Sequence, residues 1–185
     1  DGTVFQSEWC RKKTTQKFDI DEYEVIHNAP DPDIFYRKNY NETQLPSSKK
    51  LKLVAVSWSD NPNKGFDIYH YLDKNLDHKL YEMSFVGNCD KNFSRIKIFP
   101  PMNSMDLSAF LRSQDIFIFA SKREACSNSL LEAIHSGLPC LARDASSNSE
   151  VMGNNGLLFS ENNILEKLDQ LSSILPTYLK KINVL

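Results

Sequence analysis

The 185-residue chain contains no run of about 18 consecutive apolar residues, so no segment is expected to cross a membrane as a helix. Its longest apolar strings, such as Ile116-Phe117-Ile118-Phe119-Ala120, are strand-sized. Excess positive charge is also missing: 22 Lys plus Arg face 24 Asp plus Glu, for a net charge of −2 and a pI near 6.1. This excludes an affinity for nucleic acid or anionic lipid built on bulk charge. Cysteine is sparse, and Cys10, Cys89, Cys126 and Cys140 stand singly, without CxxC or a His at zinc spacing. A metal knuckle and a disulfide scaffold are thereby excluded, and a reduced, cytoplasmic compartment is expected. The two sequons, Asn41-Glu42-Thr43 and Asn92-Phe93-Ser94, would matter only in a secreted protein. No GxGxxG or GxxxxGK[ST] occurs, which removes the dinucleotide and P-loop readings. The start, Asp1-Gly2-Thr3-Val4-Phe5, lacks an initiator Met and a signal h-region, so the chain is expected to be cut from a longer one.

What is present is ordinary globular composition, 41% hydrophobic and 25% charged. From Lys49 onward, short β-branched and aromatic runs alternate with helix-period segments, the pattern of an α/β, Rossmann-like parallel sheet with helices on both faces. The expected strands are Leu51 to Val56, Met83 to Val86, Ile96 to Phe99, Ile116 to Ala120, Leu138 to Ala142 and Gly156 to Phe159. Helices are expected after Gly65, over Asp106 to Leu111 with Ser104 as N-cap, over Ser129 to His135, and over Ile164 to Leu175. Phe5 to Lys17 reads as one basic helix, and Val25-Ile26-His27 as a short strand. No internal repeat or low-complexity tract is present.

Ligands of open parallel sheets bind beyond the carboxyl ends of the strands, so the strand exit loops are the places to search. Lys64-Gly65 precedes a helix, where free amides and an ammonium can together neutralise a phosphate, although a solvated Lys at a turn has the same sequence. Ser121 to Ala133 places Glu124 in an exit loop and Glu132 in the helix that follows. Two carboxylates at one cleft can accept hydrogen bonds from vicinal hydroxyls, as sugar rings require. Glu132 has a structural alternative, because Ser129-Leu130-Leu131-Glu132 matches a capping box; Glu124 has one as an exposed ion pair with Lys122 or Arg123. His27 and His135 read as strand-end and helix-end residues. Cys126 reads as packing, with reactivity at a helix N-terminus as the alternative.

In order along the chain, Val25-Ile26-His27-Asn28-Ala29-Pro30-Asp31 with Phe35, Asn63-Lys64-Gly65, Phe85-Val86-Gly87, Ser121 to Ala133, Ser136-Gly137-Leu138-Pro139, Glu150 and Gly156 resemble the carboxyl-terminal half of GT-B retaining glycosyltransferases of glycosyltransferase family 4. That resemblance implies a division into residues 1–24, a remnant of an amino-terminal domain and linker, residues 25–175, a nucleotide-sugar-binding domain, and residues 176–185, a tail. It makes Glu124 and Glu132, with seven residues between them, the family's pair of glutamates, the first toward the donor sugar and the second toward the ribose. It implies Glu124 and Lys64 as catalytic residues. Donor binding would fall to Lys64, Gly65, Ser59, Phe99, Pro100, Ser127, Asn128, Ser129 and Glu132, with the backbone near Phe99 to Met102 around the base. No metal or other cofactor is implied, because Lys and amides take the place of a cation. The implied partners are a nucleotide-sugar donor and an amino-terminal acceptor domain, through which alone a membrane would be touched.

Two departures stand out. The family's Arg five positions before the Lys is Ser59 here, leaving that hydroxyl and the Trp58 indole N–H as donors. The glycine-rich stretch between the glutamates is Cys126-Ser127-Asn128, and Ala29 replaces a usual Gly. The function expected is transfer of a hexose to an acceptor, with a non-catalytic nucleotide-sugar-binding or interaction module and an epimerase-like protein as the alternatives.

Overall fold

Leu51-Lys52-Leu53-Val54-Ala55-Val56-Ser57 is β-branched or aliphatic at nearly every position, as a strand covered on both faces must be. In a computed structural model of the chain, which describes residues 2–37, 50–89 and 93–182, this segment is a central strand of a six-stranded, all-parallel sheet. Two short strands come first, β1 (Thr3–Phe5) and β2 (Tyr23–Val25), flanking α1 (Glu8–Thr15). They pair in parallel as a separate ribbon. The main sheet then runs β3 (Leu51–Ser57), α2 (Phe66–Asn75), β4 (Tyr81–Gly87), β5 (Lys97–Phe99), α3 (Ser104–Leu111), β6 (Ile116–Phe119), α4 (Asn128–His135), β7 (Cys140–Arg143), α5 (Asn148–Met152), β8 (Gly156–Phe159) and α6 (Ile164–Ile182).

The strand order is β5-β4-β3-β6-β7-β8. Chain order therefore reverses between β3 and β6, which are in register at Leu53↔Ile116 and Val54↔Phe117. The two-residue side-chain period separates two cores. Leu53, Ala55 and Ile118 pack with Leu72 of α2 and Leu168 and Leu171 of α6. Val54, Val56, Phe117 and Phe119 pack with Leu107 of α3 and Leu130 of α4. Helices thus cover both faces, as expected.

All six strands of the main sheet lie where the periodicity puts them, with no end shifted by more than two residues. Four helices and one short strand differ: β2 is Tyr23–Val25 and shares only Val25 with the expected Val25-Ile26-His27. The expected helix over Phe5 to Lys17 is split, because Phe5 is buried and pairs with Val25 across the ribbon. Asn103, one residue before the expected cap, closes α3 by accepting from Asp106 N at 2.9 Å. Ser127 rather than Ser129 caps α4. The last helix does not stop at Leu175 but continues past Pro176 to Ile182, with Leu179 buried against the sheet; that burial offsets the proline's missing N–H. The sequon Asn41-Glu42-Thr43, Asn92 of the second sequon, Lys49, Asp90 and residues 183–185 lie outside the described residues. No helix among the described residues is long and apolar enough to cross a membrane.

Candidate functional site

The loops leaving β3 and β6 diverge at the point of strand reversal and enclose a cavity of about 240 Å³. Val56 and Phe119 floor it, and Lys64, Glu124, Ser127 and Asn128 are among the polar groups around it. The β3 exit closes with a short 3₁₀ turn, Pro62–Lys64, ended by Gly65 at φ 81°. A Cβ on Gly65 would lie 2.1 Å from the Ala120 carbonyl oxygen, so only glycine lets the two exit loops approach this closely. Lys122 N and Ser121 Oγ donate to the Asn63 carbonyl at 2.7 and 3.1 Å and seal the contact. Gly65 is thus explained by the meeting of two loops, and Lys64 is carried with it.

Lys64 Nζ lies 2.7 Å from Glu124 Oε1, an oxygen that also accepts from Ser121 Oγ at 2.7 Å. Glu124 is therefore paired with Lys64 from the other loop, and not with Lys122 or Arg123. Lys122 instead pairs with Asp67 at 3.1 Å. The Glu124 backbone is fixed on both sides: its N–H donates to Ser146 Oγ at 3.0 Å, and its carbonyl accepts from Ser147 Oγ at 3.0 Å. Ser146 sits at φ 50°, a conformation that costs a side-chain-bearing residue on the order of 1 kcal/mol. Buried Asn148 completes the brace by donating to the carbonyls of Ser121 and Arg143 at 2.9 and 3.0 Å. Arg143, itself buried, contacts Asp67 and Glu161 and donates to the Ala120 carbonyl.

Ser127, Asn128 and Ser129 line the cavity at the start of α4. Ser127 Oγ accepts from Leu130 N at 3.4 Å, which places Glu132 two positions beyond the reach of a capping box. Glu132 Oε2 is buried and has no hydrogen-bond partner among the described residues. Burial pushes its carboxyl above the ordinary range. The capping alternative for Glu132 is thereby overturned.

Ser59 and Trp58 line the β3 side of the cavity, while Gly65, Glu132, Phe99 and Pro100 do not line it. Phe99 ends β5, two strands away from β3, with its ring 4.9 Å from that of Phe110. His135 Nδ1 lies 2.9 Å from the Leu131 carbonyl, the helix-end role expected of it. His27 Nε2 lies 2.9 Å from Glu150 Oε1, and Glu150 also accepts from the α1 amides of Glu8 and Trp9, at 2.7 and 3.1 Å. Burial raises the Cys126 thiol's pKa, which argues for packing and against a reactive thiolate. No group of three His, Cys, Asp or Glu residues among the described residues is placed to hold a metal ion.

Residues 70–175, more than half of the chain, match the family described as "Glycosyl transferases group 1". The chain belongs to the group 1 glycosyltransferases. Both glutamates fall inside the matched segment; Lys64 precedes it. A curated relative, "Uncharacterized protein 356" of Sulfolobus islandicus rod-shaped virus 1, is 25% identical over 158 residues, 77% of this chain and 44% of its own. In fold, this group 1 domain is similar to a glycosyltransferase from Rickettsia africae ESF-5, with a TM-score of 0.77, 20% identity, and coverage of 99% of this chain and 57% of the other. It is also similar to S. aureus TarM in a complex with Fondaparinux, alpha-GlcNAc-glycerol and UDP, with a TM-score of 0.73, 19% identity, and 98% and 39% coverage. The fold is that of a Rossmann-like unit of GT-B glycosyltransferases, and the chain spans about half the length of these relatives or less.

The sequence reading missed Ser146, Asn148 and Arg143. They follow the expected strand Leu138 to Ala142, but nothing in a run of Ser, Asn and Ala marks that Ser146 reaches 22 residues back to brace Glu124. Only the adjacency of β6 and β7 supplies that information.

Proposed function

We propose that this chain is the donor-binding half of a retaining glycosyltransferase of family 4 type, standing carboxyl-terminal to an acceptor-binding domain in the whole protein. The observation that carries this reading is the ion pair between Lys64 and Glu124, held across the two loops of the strand-reversal cavity beside the first amides of α4. An ammonium and a helix N-terminus together suit a diphosphate. A braced carboxylate suits sugar hydroxyls, and the unpartnered Glu132 carboxyl, within α4, suits the hydroxyls of a ribose.

In the proposed reaction, the bond between the sugar's anomeric carbon and the diphosphate oxygen breaks. An acceptor hydroxyl bonds to that carbon from the same face and gives its proton to the departing phosphate oxygen. Lys64 and the α4 amides stabilise the charge that develops on the diphosphate. When donor enters, its phosphate competes with Glu124 for Lys64 and frees the Glu124 oxygen for a sugar hydroxyl. The ion pair is thus a resting state that substrate rearranges. Coverage of only about half of the related enzymes supports an acceptor site on a second domain, so this chain is expected to bind donor and not turn it over.

Calorimetric titration with UDP, GDP and ADP tests the reading, with Lys64→Ala and Glu132→Gln as controls. One nucleotide is expected to bind, and both substitutions are expected to weaken it. Absence of binding at millimolar concentration, or binding indifferent to both substitutions, rejects the donor site.

A further inference from the structure

Trp58 is one of two tryptophans in the chain and is 57% exposed, although burying an indole is among the largest apolar gains open to a folded protein. It follows β3 directly and lines the same cavity as Lys64 and Glu124. Its backbone is held firmly. The Trp58 carbonyl accepts from Asn88 Nδ2 at 2.7 Å, and the flanking Ser57 carbonyl accepts from Asn88 N at 2.9 Å. Gly87 sits so close that a Cβ there would lie 1.9 Å from the Ser57 carbonyl oxygen. A large aromatic side chain is therefore carried on a fixed backbone and left open to solvent at the cavity wall.

Other groups that line this cavity are hydroxyl-recognising: the Glu124 carboxylate, the Ser59 hydroxyl and the Asn128 amide. A pyranose ring has two kinds of surface, an edge of hydroxyls that needs such groups and a face of C–H bonds that is apolar. An indole covers the second kind, and among the described residues no other exposed aromatic lines this cavity. We infer that Trp58 is a specificity-determining platform against which the C–H face of a hexopyranose ring stacks. For a donor ring the inference rests on the donor-site reading above; for an acceptor ring it stands without it.

The test uses the full chain with Trp58→Ala and Trp58→Phe, titrated with UDP-glucose, UDP-N-acetylglucosamine and GDP-mannose, each against its bare nucleoside diphosphate, and with maltotriose observed by saturation-transfer NMR. Because the ring is exposed, thermal unfolding of both variants is expected to match that of the unmodified chain. If a donor ring stacks, Trp58→Ala weakens a nucleotide sugar about five- to tenfold and its bare nucleotide less than twofold, with Trp58→Phe in between. If an acceptor ring stacks, Trp58→Ala changes nucleotide sugar and bare nucleotide alike, each by less than twofold, and the maltotriose signal is lost. Equal loss for nucleotide sugar and bare nucleotide with a maltotriose signal that is absent or unchanged in Trp58→Ala, or no change with any probe, overturns the inference. Should no nucleotide bind, the donor reading fails separately, and the maltotriose arm alone decides: a signal lost with Trp58 supports the platform, and a signal absent or unchanged overturns it.

Discussion

Asp73 on α2 is buried and Glu132 on α4 is partly buried, and the two are treated in opposite ways. Asp73 Oδ1 accepts from Arg95 N and Ile96 N at 2.7 and 2.8 Å, and its Oδ2 accepts from Ser94 N and Ser94 Oγ at 2.8 Å each. Burial pushes this carboxyl up, but the donors outweigh it and hold it down at about 2. At Glu132 burial acts with nothing to oppose it, so its carboxyl is pushed up. A saturated carboxylate clamps the loop that enters β5; an unsaturated one waits for donors that the protein does not supply. Glu124 falls between them, with one oxygen shared by Lys64 and Ser121. The difference teaches that burial alone does not mark a functional acid: Asp73 has its donors within the fold, whereas Glu132 keeps unused capacity to accept hydrogen bonds.

The sharpest way to break this comparison is Asp73→Ala. It orphans three backbone N–H groups around buried Ile96 and is expected to destabilise the fold by about 3 kcal/mol or more, read by urea denaturation. A loss below about 1 kcal/mol would mean that the clamp does not hold the sheet edge. Next in size is the acid response. With Asp73 at about 2 in the fold and near 4 when unfolded, its contribution of about 2 kcal/mol is complete above about pH 4. It is lost as pH falls toward 2, so Asp73→Asn should flatten the stability curve over that window.

Lys64→Ala is expected to weaken nucleoside diphosphate binding at least tenfold, about 1.4 kcal/mol, with stability changed by less than about 1 kcal/mol, since its ion pair is partly exposed. The smallest stability effect is expected for Glu132→Gln. Because the folded-state pKa of Glu132 is raised, its charge costs stability as pH rises through and beyond the ordinary carboxylate range. Gln removes that cost, so the variant should equal or slightly exceed the unmodified chain in stability at pH 7 and lose that advantage near pH 4. Nucleotide affinity, measured on the same samples, should still fall several-fold. A variant that lost stability instead would make Glu132 a second Asp73.

Much of the architecture was legible because a parallel sheet covered on both faces needs continuous apolar strands, and β6 and β7 are buried along their whole length. The positions of Lys64, Glu124 and Glu132 relative to those strands were legible too. What escaped were interactions that join distant parts of the sequence. Phe5 left its expected helix for a partner 20 residues on, Pro176 failed to end α6 because Leu179 is buried, and Ser129 lost its capping role to Ser127. Each was decided by a contact that local propensity does not encode.

By itself, the sequence determined the alternation of strands and helices, the absence of bulk positive charge and which exit loops carry carboxylates, because periodicity, charge and turn chemistry are local properties. Only the tertiary structure decided which of those residues meet. Strand reversal between β3 and β6 brings Lys64 within 2.7 Å of Glu124, 60 residues away, and the β7 exit loop lends Ser146 and Asn148 to hold it there. The same packing leaves Glu132 Oε2 buried without a partner among the described residues. Whether a carboxylate becomes a clamp or a ligand site depends on the donors the fold brings to it, and those come from other strands.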